Sequence, residues 1–129
     1  MEKDFSQYTE VLKRQDEVIF AYLFGSQARG KTTPLSDIDI GVYVENDIFK
    51  KKFPYGYESE LSSKISSKKT VDIVILNKAP VLLRHRCVTE GKLLFCKNQA
   101  LLNQFKVKTL CEYFDTQPLR EKIKKAFYG

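Results

Sequence analysis

Gly25-Ser-Gln-Ala-Arg-Gly-Lys-Thr-Thr-Pro-Leu-Ser-Asp-Ile-Asp-Ile-Gly-Val-Tyr-Val44 decides how this chain folds. A Gly-Ser pair follows directly on the apolar run Val18 to Phe24, and ten residues separate Ser26 from Asp37. From Ile38 to Val44 apolar residues recur at every second position, the mark of a strand. Side chains two apart on a strand share a face, so Asp37 and Asp39 point one way and Ile38 and Ile40 the other. Neighbouring carboxylates repel, which raises the pKa of one of them unless a cation lies between them. Mg²⁺ relieves that repulsion, because it takes oxygen ligands and bridges carboxylates to phosphates. Gly25 lets a phosphate approach the backbone, and a helix begun at Ser26 would turn free N–H groups toward it. A phosphate seat and paired acids at a fixed separation are what nucleotidyl transfer requires. Taken singly, a Gly-Ser turn or a DxD is also ordinary surface chemistry.

The run Leu23-Phe-Gly-Ser-Gln-Ala-Arg-Gly30, followed by Ser36-Asp-Ile-Asp-Ile40, resembles the DNA polymerase beta-like nucleotidyltransferase superfamily. The fuller pattern is similar to its minimal nucleotidyltransferase (MNT) branch, which includes antitoxins paired with HEPN-domain ribonuclease toxins. The resemblance implies an α+β fold, a small mixed sheet flanked by helices. It also implies a third acid on a following strand, and Val71-Asp72-Ile73-Val74 matches that placement.

On this resemblance Asp37, Asp39 and Asp72 are the catalytic and metal-holding residues, with two Mg²⁺ ions. Asp72 doubles as the general base. Gly25 and Ser26 hold the β- and γ-phosphates of ATP. Arg29, one helical turn from Ser26, reaches the triphosphate or pairs with a surface acid. The expected reaction moves AMP from ATP to a tyrosine hydroxyl of a HEPN toxin, in a hetero-oligomer. Two rival readings stand beside it: transfer to a small molecule or a nucleic-acid end, and a non-catalytic module that blocks the toxin sterically.

The 129 residues, 43% hydrophobic and 29% charged, suit one folded domain rather than a disordered chain. No apolar run approaches the ~20 residues that cross a bilayer. The first ten residues do not read as a signal peptide, so a cytoplasmic protein is expected. Cys87, Cys96 and Cys111 are widely spaced and read as buried thiols of a reducing compartment. The net charge of +6 is uneven: residues 1–48 hold five basic and nine acidic side chains, and residues 49–96 hold ten and four. The acidic part carries the proposed site, and the basic remainder would attract phosphates, nucleic acid or an acidic protein.

Helix periodicity is expected over Tyr8–Asp16, with Ser6 as N-cap, and over Tyr57–Ser67, where Tyr57, Leu61 and Ile65 recur every four residues. A short helix is expected over Ser26–Gly30 and a loop over Lys31–Ser36. Strands are expected at Val18–Phe24, Ile38–Val44, Val71–Leu76 and, at the sheet edge, Lys92–Cys96. Gly41, on the Asp39 face, would leave room for ligand beside the carboxylates. Pro80 suits the first turn of a helix over Val81–Glu90 capped by Gly91. Arg86 is a candidate phosphate ligand or a solvated helix-end charge.

Lys50-Lys51-Lys52, next to Phe53, Tyr55 and Tyr57, reads as a surface loop or a nucleic-acid contact. C-terminal helices fill about 98–128. The first, Asn98–Phe114, turns Leu101, Leu102, Phe105, Leu110 and Cys111 inward. Pro118 breaks it and starts a second with a stripe of Leu119, Ile123, Ala126 and Phe127.

Overall fold

The computed structural model of the chain describes residues 6–25, 38–45, 56–65 and 71–128. They form, in order, α1 (Ser6–Lys13), β1 (Val18–Phe24), β2 (Ile38–Val44), α2 (Tyr57–Ser63), β3 (Val71–Ile75), α3 (Val81–Glu90), β4 (Lys92–Cys96) and α4 (Gln99–Tyr128). The strands lie in the order β3-β2-β1-β4. β1 is antiparallel to β2 and to β4, whereas β2 and β3 are parallel, so the sheet is mixed as expected.

Position in the sheet follows from the apolar pattern. β1 is apolar along its whole length, and a strand buried on both faces belongs at the centre of a sheet. Six of its seven residues are buried, and helices cover both sides. β2 alternates. Ile38, Ile40, Val42 and Val44 enter a core closed by Tyr8 and Leu12 of α1 and Tyr57 and Leu61 of α2. The other face joins Phe20, Tyr22, Phe24 and Leu76 to Cys87 of α3 and Leu102 and Phe105 of α4. Asp39 and Asp72 belong to this second face.

Polar contacts close the ends. Beyond β3, Leu76 N–H donates to Val42 O at 2.8 Å. Asn77 then continues the ladder with its side chain, accepting from Val44 N–H at 2.9 Å and donating to Val44 O at 2.8 Å. Tyr57 O–H donates to Glu17 Oε1 at 2.7 Å, tying α2 to the start of β1. Burial, with help from that carboxylate, raises the Tyr57 pKa, so the phenol stays a donor.

The C-terminal segment departs from expectation. A single 30-residue helix runs through Pro118 rather than breaking there. At ~1.5 Å per residue it is about 45 Å long. Proline removes one N–H and crowds the carbonyl four residues back, here that of Phe114. Both Pro118 and Phe114 are exposed, so water can take the freed carbonyl and the helix need not end. The stripe from Leu119 to Phe127 lies outside the described side chains.

The inward face of α4 also differs. Leu102, Phe105 and Thr109 are buried, Leu101 and Leu110 only half so, and Cys111 is exposed. Thiol burial is thus graded, from Cys87, buried, through Cys96, half-buried, to Cys111. α1 and α2 end sooner than their periodicity suggested. α1 ends at Lys13, and Ser6 lies within the helix rather than capping it. α2 ends at Ser63, and residues 66–67 lie outside the described residues.

Arg84 fastens α3 to α4. Its Nε donates to Ala79 O at 3.0 Å, its Nη1 to Thr109 Oγ1 at 3.4 Å and its Nη2 to Glu112. The hydrogen bond from Arg84 holds the Glu112 carboxyl below the usual carboxylate range, against a small opposing effect of burial. A depressed carboxylate pKa contributes stability above its unfolded value, and that stability is lost as pH falls through the folded value. Glu112→Gln is therefore expected to lower the melting temperature slightly at neutral pH. The difference from the unaltered chain should close as the solution is acidified through the carboxylate range. Thermal melts across that range check this, and a constant difference would mean the charge pair is not its source.

Candidate active site

The strand register builds the site. Asp39 pairs with Phe24 across the antiparallel β1–β2 ladder and with Asp72 across the parallel β2–β3 ladder. Register partners share a face, so Phe24, Asp39 and Asp72 form one row across the sheet. Asp39 is half-buried and Asp72 exposed. The row therefore runs from the packed core beneath α3 and α4 out to solvent at the β3 edge. Residue 72, the expected third acid, stands beside residue 39 on the same face.

Gly25 closes the inner side. Its φ of 79° is the left-handed conformation that glycine adopts without strain. A Cβ placed on it would stand 2.5 Å from Asp39 Oδ2 and 3.5 Å from its Cγ. The carboxylate thus lies directly over the glycine, in space that any side chain would fill. Gly25 and the second strand meet here, though thirteen residues part Gly25 from Asp39 in sequence.

Gly41 corrects an expectation. A Cβ on it would meet Leu76 Cδ2 at 2.8 Å and Leu76 Cγ at 3.1 Å. The space above Gly41 is taken by Leu76, which is fully buried, and not left for ligand. The glycine admits a core leucine over β2, two residues along the strand from Asp39.

Behind the row sits Cys87 of α3. Burial pushes its thiol up to about 12, with Arg86 pulling down and Asp39 adding to the rise. The thiol is neutral and hidden, which suits packing rather than nucleophilic chemistry. Tyr22, opposite Gly41 in the ladder, is likewise pushed up to about 12, by burial first and by Cys87 and Cys96 after it. Arg86 is exposed on α3, the helix whose Cys87 packs on the sheet face that carries the acid row. An arginine and the acid row thus lie on the same side of the sheet.

Ser26, Arg29 and Asp37 lie outside the described residues, as do the expected Ser26–Gly30 helix and the Lys50–Lys52 run. Among the described residues, no three His, Cys, Asp or Glu side chains gather as a metal-holding group. Asp39 and Asp72 do fit a hard cation: both are oxygen donors, side by side at a solvent-open edge. No helix among the described residues is long and apolar enough to cross a membrane.

One feature of this face gave no sequence signal. Arg84, Lys78 and Lys108 come together at its far end around a cavity. They are spread over thirty residues of sequence with no motif spacing, and only the packing of α3 against α4 unites them.

Comparison with known proteins bears on this geometry. Residues 6–100 match the family model described as polymerase beta, nucleotidyltransferase. No curated protein matches the chain. Among solved structures, a chain from a toxin-antitoxin with AMP-PNP is 29% identical, with a TM-score of 0.77, covering 96% of this chain and 98% of that one. A chain from a mutant of the toxin-antitoxin MntA-HpeT is 27% identical, with a TM-score of 0.80 over 98% of this chain and 100% of that one. A third comes from a tri-AMPylated Shewanella oneidensis HEPN toxin in complex with MNT antitoxin. It is 27% identical, with a TM-score of 0.71 over 96% and 95% of the two chains.

Proposed function

The chain belongs to the polymerase beta nucleotidyltransferase family, and from that premise we propose that it transfers AMP from ATP to a tyrosine hydroxyl of a HEPN ribonuclease toxin, acting as its antitoxin. The observation that carries this reading is the register of Asp39 against Asp72, with Gly25 seated under Asp39 Oδ2. The donor and acceptor come from the similar structures, one with AMP-PNP and one with a tri-AMPylated HEPN toxin beside an MNT antitoxin.

Each residue has a task in the transfer. Asp37, Asp39 and Asp72 would hold the divalent ions. When bound, Mg²⁺ supplies positive charge that offsets the charge building on the phosphate oxygens. Gly25 leaves its backbone open to the triphosphate, and the Ser26 hydroxyl and N–H donate to its oxygens. Arg29 adds a second donor to the same phosphates. Asp72, the more exposed acid, accepts the proton of the incoming hydroxyl. The acceptor oxygen bonds to the α-phosphorus, the bond from that phosphorus to the bridging oxygen breaks, and pyrophosphate leaves.

The result inactivates a ribonuclease by electrostatics. AMP adds bulk and negative charge, and RNA phosphates approaching the modified tyrosine are repelled. The basic character of residues 49–129 fits an enzyme that handles nucleotide phosphates on one side and an acidic partner on the other.

Incubation with ATP labelled on its α-phosphate, Mg²⁺ and a HEPN protein is the direct test. Label is expected on a tyrosine of the HEPN chain, and EDTA should abolish it. Label appearing instead on a nucleic-acid end or an aminoglycoside would replace the acceptor. An unlabelled toxin that is nonetheless inhibited would make the chain a binding module.

A further inference from the structure

At the end of the sheet away from Asp39, a cavity of about 350 Å³ opens between α3 and α4. Tyr43, Leu76 and Phe105 line its floor, and Lys78, Arg84 and Lys108 stand around it, with no acidic residue in the lining among the described residues. Tyr43 is four residues beyond Asp39 on β2, about 13 Å at ~3.3 Å per residue. The cavity thus shares the sheet face of the acid row without sharing its residues. We propose that it binds a small organic phosphate carrying a flat apolar group, at a site separate from the acid row.

The cations differ in kind. Arg84 is fixed, with a side chain only 12% exposed and three acceptors in Ala79 O, Thr109 Oγ1 and Glu112. Arginine carries five N–H donors in a rigid fork, so those contacts leave donors for a further anion. Lys108 is exposed, and its charge also acts on the Glu112 carboxylate that Arg84 holds. Lys78 bonds Glu58 at 2.9 Å, but both side chains reach solvent, and such a pair is exchanged at little cost. The Gln104 amide adds an uncharged donor at the rim. Several donors converging on one space suit the three terminal oxygens of a phosphate monoester better than the two of a carboxylate.

The floor suits a ring. Tyr43 stacks on Phe20 at 4.9 Å between centroids and meets Phe105 edge-on at 5.8 Å. Those aromatics are held by one another, and with Leu76 and Phe105 almost fully buried it is the half-buried Tyr43 that offers a flat ligand a preformed apolar surface. The volume lies at the small end of the ~300–1,000 Å³ range of small-molecule pockets. A bare phosphate would leave that floor uncovered.

Phenyl phosphate is the probe, titrated in EDTA into the ¹⁵N-labelled chain and followed by amide shifts. Saturable shifts are expected at Gln104, Phe105 and Lys108. Inorganic phosphate and phenol should each bind at least tenfold more weakly. Lys108→Glu, an exposed change that spares the core, should weaken phenyl phosphate at least tenfold, and Asp39→Asn should leave it unchanged. No saturable shift, shifts centred on Gly25 and Asp39, equal affinity for inorganic phosphate, or an unaffected Lys108→Glu chain would each overturn the proposal. Because Asp39→Asn removes the transfer chemistry and not this site, the two readings fail separately.

Discussion

Asp39→Asn is expected to lower nucleotide transfer by roughly a hundred- to a thousandfold while the chain stays folded. The size follows from the role. A group that places positive charge against a transferring phosphoryl stabilises the transition state by several kcal/mol, and about 1.4 kcal/mol is tenfold in rate. Asparagine keeps the shape and one oxygen but loses the negative charge that would hold a cation beside Asp72. Asp39 is half-buried, its cross-strand partner Phe24 is apolar, and the strand pairs through its backbone, so the fold is expected to survive the change. Removing one of two neighbouring acids also removes their repulsion, so the melting temperature without metal should hold or rise. Single-turnover transfer from α-labelled ATP, with a parallel thermal melt, measures both quantities. Transfer within threefold of the unaltered chain would remove Asp39 from the chemistry. A melting temperature several degrees lower would make it structural.

The parts of this molecule that could be read from sequence are those that depend on near neighbours. β1, β2, β4 and α3 lie where their apolar patterns and the Pro80 and Gly91 signals put them. The pairing of Asp72 with Asp39 was foreseen only through family likeness, because no local pattern fixes which strand lies beside which.

The misreadings share a physical origin. Gly41 looked like an opening because its own residue is small. Whether space above a glycine is open depends on Leu76, thirty-five residues away, and that leucine fills it. Pro118 looked like a helix end because proline costs ~3 kcal/mol in a helix interior. Whether a helix stops there depends on solvent access to one carbonyl and on the segments that continue it. Thr109 carries no apolar signal, yet it is buried, and Arg84, from another helix, donates to it. The cavity beside it was invisible for the same reason, since its cations come from separate elements.

Gly25→Ala separates what the glycine does for the backbone from what it does for the acid. Two costs combine in it. Alanine at a φ of 79° is strained whatever surrounds it, by about 1–3 kcal/mol for a non-glycine residue in a sparsely populated region. Its Cβ would also stand 2.5 Å from Asp39 Oδ2, so the carboxylate must turn away from its place above the turn. Gly56 supplies the control: its φ is also 79°, and a Cβ there meets nothing within 4 Å. Gly56→Ala therefore carries the same backbone strain without the contact. Both substitutions are expected to lower the melting temperature by a few degrees, and only Gly25→Ala should also cut transfer. A displacement of about 1 Å at a reacting centre costs on the order of a hundredfold, which sets the expected loss. If the two alanines reduce transfer equally, the loss comes from stability, and the seat of Asp39 on Gly25 carries no catalytic weight. If Gly25→Ala alone is impaired, and Asp39→Asn added to it brings little further loss, the glycine acts through that carboxylate.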